Sequence, residues 1–270
     1  MADLRAFLAG HEDAVLVRVD EAKGSTPRDA DAWMLVTSAA TFGTIGGGRL
    51  EFLAMERARA VLAGTESEGG WSQPLGPEIG QCCGGHVRLD FVRLDGAARA
   101  RLLAQWENAQ ARLPHVYLFG AGHVGTALAR ALALLPVQAI VVETRADALE
   151  ALAVTVGGAV ETRLSAMPEA IVRDAPSGAA FIVLTHDHAL DFLIVSEALK
   201  RDDAAYVGLI GSATKRAVFA RQWREAGGED ARFDVLVCPI GGAHLRDKRP
   251  SVIAALTVAE VMAALSVAEG

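Results

Sequence analysis

Cysteine is scarce in this chain, three residues in 270, and two of the three are the neighbours Cys82 and Cys83. So few thiols make no disulfide framework, and adjacent cysteines do not readily close an unstrained bridge, so the pattern points to reduced thiols with a local task. Positive charge is also in short supply: 26 Lys and Arg stand against 33 Asp and Glu, for a formal net charge of -7 at pH 7. With aromatics at 6% and no basic stripe interleaved with them, the composition argues against recognition of a phosphate backbone and no nucleic acid partner is expected. No uncharged stretch reaches membrane-spanning length, and the charged N-terminal segment does not read as a signal peptide. The expectation is a cytoplasmic protein with no membrane partner.

Apolar residues, by contrast, make up 51% of the chain, enough for a sizeable core and, at this length, for two domains. The strongest local signal lies between His115 and Gly125, where a short apolar run breaks into glycines and resumes with helical spacing. Gly120, Gly122 and Gly125, with His123 among them, fit G-x-G-x-x-G, the strand-to-helix turn whose glycines permit the bend, let backbone approach a pyrophosphate, and bring helix against strand. Val124, Ala127, Leu128, Ala131, Leu132 and Leu135 then form one apolar helix face, which Pro136 ends. A second strand, Gln138 to Val142, leads to Glu143, placed to accept both hydroxyls of a ribose. The alternative is a tight connection without a ligand.

Downstream the alternation continues, with strands at Phe181 to Leu184, Ala205 to Ile210 and Val235 to Val237 and helices at Ala189 to Lys200 and Thr214 to Ala226. That order predicts a parallel sheet whose ligands lie beyond the carboxyl ends of the strands. The loops expected there carry His186, Asp187 and His188, then Ser212 with Lys215 and Arg216, then Cys238-Pro239-Ile240-Gly241-Gly242. Successive residues of an extended loop point apart, so hydrogen bonding to a ligand suits His186, Asp187 and His188 better than metal ligation. Lys215 and Arg216 either hold phosphate or form the solvated start of a helix. Residues Ser251 to Val267 read as a helix apolar almost all round, which must be buried on the sheet or in a subunit interface.

The N-terminal part reads differently. Strands at Ala14 to Val19, Trp33 to Thr37 and Thr41 to Ile45 surround a Gly/Pro loop that presents Arg28. Gly46, Gly47 and Gly48 follow, with Arg49, at the start of a helix from Leu50, where amides can meet an anion; the other reading is a flexible turn beside an exposed arginine. Cys82 and Cys83 sit between Gly80 and Gly84-Gly85-His86, a setting that favours a reactive or ligand-bearing thiol over an inert core cysteine, and two cysteines alone are too few for structural zinc. A charged helix from Ala97 to Arg112 joins the two parts. The expected fold is α/β: a smaller N-terminal α+β domain over residues 1–96, a linking helix over 97–113, and a C-terminal Rossmann-like, doubly wound parallel sheet over 114–270.

Taken together, Gly24-Ser25-Thr26-Pro27-Arg28, Gly43-Thr44-Ile45-Gly46-Gly47-Gly48-Arg49-Leu50-Glu51, Gly80-Gln81-Cys82-Cys83-Gly84-Gly85, the turn from Gly120 to Gly125, Thr185-His186-Asp187-His188, Gly211-Ser212 with Lys215-Arg216, and Cys238-Pro239-Ile240-Gly241 resemble the XdhC/CoxI family of xanthine dehydrogenase accessory proteins. The resemblance implies a chaperone and not a turnover enzyme. It implies binding of the molybdenum cofactor (molybdopterin), help with its oxo-to-sulfido maturation alongside a cysteine desulfurase, and delivery to apo xanthine dehydrogenase; a homodimer is expected besides. It makes Cys82 or Cys83 the important thiol, directed to the molybdenum. Asp31 stands where the family commonly has glycine, and Gly242 to Lys248 departs from the commoner acidic loop, which points to the branch serving xanthine dehydrogenase. The glycine turn also admits NAD(P) or another nucleotide, so an NAD(P)-dependent oxidoreductase is the competing reading; no clear acid/base residue beyond His186 and His188 supports it.

Overall fold

A computed structural model describes residues 3–24, 28, 30–76, 85–242 and 247–268. The Cys82-Cys83 pair, on which the thiol expectation falls, lies outside the described residues, as do Ser25, Thr26 and Pro27 beside Arg28. The chain divides into two compact units, Ala2–Ala111 and Arg112–Gly270.

The N-terminal unit runs α1 (Leu4–Ala9), β1 (Val15–Lys23), β2 (Trp33–Val36), β3 (Thr41–Gly43), α2 (Gly48–Leu62), β4 (Gly69–Pro74), β5 (His86–Arg93) and α3 (Gly96–Ala111). Its strands form one antiparallel sheet in the order β3-β2-β1-β5-β4. Val15, Val17 and Val19 alternate inward and meet Leu50, Ala54, Ala58 and Val61 of α2, the period of two answering the period of 3.6. Leu102 of α3 joins Leu4, Leu8 and Leu35 in a second cluster, so the helix expected to link the two parts packs with the N-terminal unit. Asp31 holds φ at 73°, a conformation more usual for glycine, so the loop keeps a glycine-type backbone despite the side chain.

The C-terminal unit runs β6 (His115–Phe119), α4 (His123–Leu132), β7 (Gln138–Glu143), α5 (Ala146–Val156), β8 (Glu161–Leu164), α6 (Pro168–Asp174), β9 (Ala180–Val183), α7 (His188–Leu199), β10 (Tyr206–Leu209), α8 (Ala213–Glu225), α9 (Asp230–Asp234), β11 (Leu236–Val237) and α10 (Pro250–Ala268). Six parallel strands in the order β11-β10-β9-β6-β7-β8 make the expected doubly wound sheet, with its change of direction between β6 and β9. Both faces are covered, so β6 is buried on both sides from Val116 to Phe119: Val116 and Leu118 face the layer of α4, α5 and α10, whereas Tyr117 and Phe119 face α6, α7 and α8. For α10 the expectation of burial holds on one side only. Ala254, Val258, Val261 and Leu265 pack inward, while Ala255, Ala259 and Ala263 lie exposed beside Leu256. Among the described residues no helix is long and apolar enough to cross a membrane.

Candidate functional site

At the carboxyl edge of the parallel sheet the glycine turn after β6 shows what each glycine does. Gly120 has φ of 122°, and a Cβ there would lie 2.5 Å from the Leu184 carbonyl oxygen in the loop after β9. A Cβ on Gly125 would come within 2.1 Å of the Gly120 carbonyl oxygen, so this glycine seats α4 against the turn. Gly122 differs: a Cβ there would meet nothing within 4 Å. It is the N-cap of α4, with no side-chain cap, so the turn leaves an open approach to the amide end of a ten-residue helix. His123, the first residue of α4, is exposed.

Glu143, expected to reach a ribose, is almost fully buried and turned toward the protein. Its carboxylate accepts from the Ala121 amide at 3.0 Å, from the amides of Thr144 and Arg145, and from the Arg145 guanidinium. Burial opposes the charged form, yet the Arg145 side chain and the Ala121 and Thr144 amides outweigh it and hold the pKa at about 2. Glu143 thus braces the glycine turn from below.

The loops after β9 and β10 converge on a second polar centre. Asp191 of α7 is 0% exposed and accepts from the Thr185 amide at 3.0 Å, the Thr185 hydroxyl at 2.7 Å and Lys215 Nζ at 2.5 Å. Lys215 Nζ also donates to the Ile210 carbonyl at 3.0 Å. A buried ion pair is tolerated only when its remaining donors and acceptors are satisfied, and Thr185 and Ile210 supply those partners. Gly211 is required here, since a Cβ on it would lie 2.6 Å from Lys215 Cδ. Sequence reasoning passed over Asp191, although it shares a helix face with Ile194, Val195 and Ala198, and an acid at a core position of that stripe was the available signal.

The remaining expected residues have local roles as well. Asp187 caps α7 by accepting from the Ala189 amide at 2.8 Å, and Ser212 caps α8 by accepting from the Lys215 amide. His186 and His188 are exposed, and among the described residues no group of three or more His, Cys, Asp or Glu could hold a metal ion. In the N-terminal unit the triple glycine has positive φ at Gly46, Gly47 and Gly48, but its amides are not all available: Glu51 accepts from the Ile45 amide, the Gly47 amide and the Thr44 hydroxyl. Glu51 thus takes up the amides of Ile45 and Gly47 that lead into α2. Arg49 lies over the Phe52 ring at 5.0 Å, and Arg28 is exposed. Cys238 is half-buried just after β11; burial raises its thiol pKa against the opposing pull of Lys215 and Arg216.

The family model described as the XdhC Rossmann domain matches residues 116–261, and the one described as the XdhC and CoxI family matches residues 7–68. The uncharacterized protein YqeB of Escherichia coli (strain K12) is 26% identical over 260 residues, covering 92% of this chain and 42% of that protein. This chain therefore spans less than half the length of that relative. A crystal structure described as a xanthine dehydrogenase from Bacillus halodurans shares the fold, with a TM-score of 0.79 at 17% identity, over 99% of this chain and 96% of that one.

Proposed function

The chain belongs to the XdhC and CoxI family, and on that premise we propose that it binds the molybdenum cofactor and passes it to apo xanthine dehydrogenase. Members of the family are accessory proteins rather than enzymes. The observation that carries the reading is the open position at Gly122, the one glycine of the turn with room in front of it, at the uncapped amide end of α4. A cofactor phosphate fits there, because helix amides and the absence of a side chain favour a close anion. The cofactor supplies a pterin dithiolene with an exchangeable sulfur on molybdenum; the chain's part is to hold it, keep that sulfur from water and release it. For the soft metal end the reading uses Cys82 or Cys83, with a cysteine desulfurase as the sulfur source. The competing dehydrogenase reading is weakened by Glu143, whose carboxylate is committed to Arg145 and the Ala121 amide instead of facing a ribose.

Gly122→Val tests this directly, since the new side chain enters empty space and leaves packing intact. Retention of molybdenum cofactor through gel filtration should fall at least tenfold, about 1.4 kcal/mol, while the far-ultraviolet spectrum stays unchanged. Cys82→Ala and Cys83→Ala should bind cofactor more weakly or fail to activate apo xanthine dehydrogenase. Full retention and full activation by all three variants, or tight binding and oxidation of NAD(P)H by the wild type, would overturn the assignment.

A further inference from the structure

A cleft of about 930 Å³ opens between the first halves of α7 and α8. That volume falls in the range of small-molecule pockets, and its lining follows their usual pattern of apolar walls with a few converging polar groups. Phe192, Leu193, Val218 and Phe219 form the walls. Leu193 is 51% exposed and Val218 42%, an apolar pair left open to solvent at the mouth. The Phe192 and Phe219 rings stand 5.4 Å apart at 56°, a corner suited to the edge or face of another ring.

The polar end is of one sign. Among the described residues no carboxylate lines the cleft and Lys215 is its one permanently charged lining residue, in a chain whose net charge is -7. The Lys215 side chain is 14% exposed and fixed by Asp191 Oδ2 and the Ile210 carbonyl, which use two of its three N–H donors. Asp191 is fully buried and does not line the cleft, and the Lys215 ammonium stands 5.8 Å from the centre of the Phe219 ring, so the cleft has a fixed positive charge beside its aromatic wall. Neither the turn residues 120–123 nor Glu143 line this space; Thr185, whose amide lies 3.2 Å from a Cβ built on Gly120, borders both regions.

We propose that the α7–α8 cleft is a second ligand site, separate from the glycine turn, for a fused-ring aromatic or heteroaromatic anion, its rings between Phe192, Val218 and Phe219 and its anionic group on Lys215. This does not rest on the cofactor reading, and the two fail separately. The test is isothermal titration of the whole protein at pH 7 with 2-naphthoate and its neutral counterpart 2-naphthamide. Wild type should bind naphthoate about tenfold more tightly than the amide. Val218→Trp, at an exposed position, fills the cleft and should weaken both at least tenfold while molybdenum cofactor retention is unchanged. Asp191→Asn combined with Lys215→Met removes both charges together and should bring the two affinities level. Gly122→Val should leave naphthoate binding as in wild type. Equal wild-type affinities, no wild-type binding, naphthoate affinity untouched by Val218→Trp, or joint loss of naphthoate and cofactor in either single variant would overturn the proposal.

Discussion

Glu143 shows at single-residue scale how a position suited to a ligand can be used for support. Its carboxyl is held at about 2 against an ordinary 4.5, because the Arg145 guanidinium and two amides offset the cost of burial. A depressed carboxyl pKa gives stability that is complete above 4.5 and is lost as pH falls from 4.5 toward 2. The shift corresponds to roughly 3 kcal/mol, to be discounted because the Arg145 partner is partly exposed. Glu143→Gln should therefore lose about 1 to 3 kcal/mol at pH 7 and show a shallower acid limb than wild type between pH 4.5 and pH 2. Urea unfolding at stepped pH measures both, and parallel profiles for the two proteins would mean that the carboxylate adds nothing to the fold.

Among elements, α2 and its glycine approach show the same economy. The three donors gathered by Glu51 fix the loop from Thr44 to Gly47, and a carboxylate at a helix N-terminus is favoured by the helix dipole. Glu51→Ala should cost about 2 kcal/mol and speed hydrogen exchange at the Ile45 and Gly47 amides, with sulfate slowing it again by taking the vacated place. Unchanged exchange at both amides would show that the loop holds itself. Spacing revealed α2, and it revealed β6, β7, β9 and β10, because strands buried on both faces carry near-continuous apolar runs. It did not reveal β8, whose four side chains are all exposed, or β4, which begins on two glycines and ends on proline. Those strands exist because β7 and β5 offer them a ladder, and edge pairing leaves little trace in side-chain pattern. The site divides likewise: Gly120 and Gly125 were legible because backbone crowding demands them, whereas Asp191 and Lys215 meet only through the fold.

For the molecule as a whole, each unit carries its own buried clusters, and this bears on how the chain unfolds. In Arg112–Gly270 the sheet is covered on both faces, by α4, α5 and α10 on one side and by α6, α7 and α8 on the other. A doubly covered sheet of this size satisfies the requirements of an autonomous domain. Residues 112–270, produced alone, should therefore unfold cooperatively. Trp223 is the reporter, being the one tryptophan of that segment. It is 4% exposed, its indole N–H donates to the Glu229 carbonyl at 2.9 Å, and its ring leaves no room for a Cβ on Gly228, 2.1 Å from it. Such a fixed, asymmetric setting gives near-ultraviolet dichroism that fluctuating packing does not. The fragment should show that signal and lose it with its far-ultraviolet signal in one urea transition. Retained helicity without the tryptophan signal would mean that this unit acquires its side-chain order only in the presence of the first 111 residues.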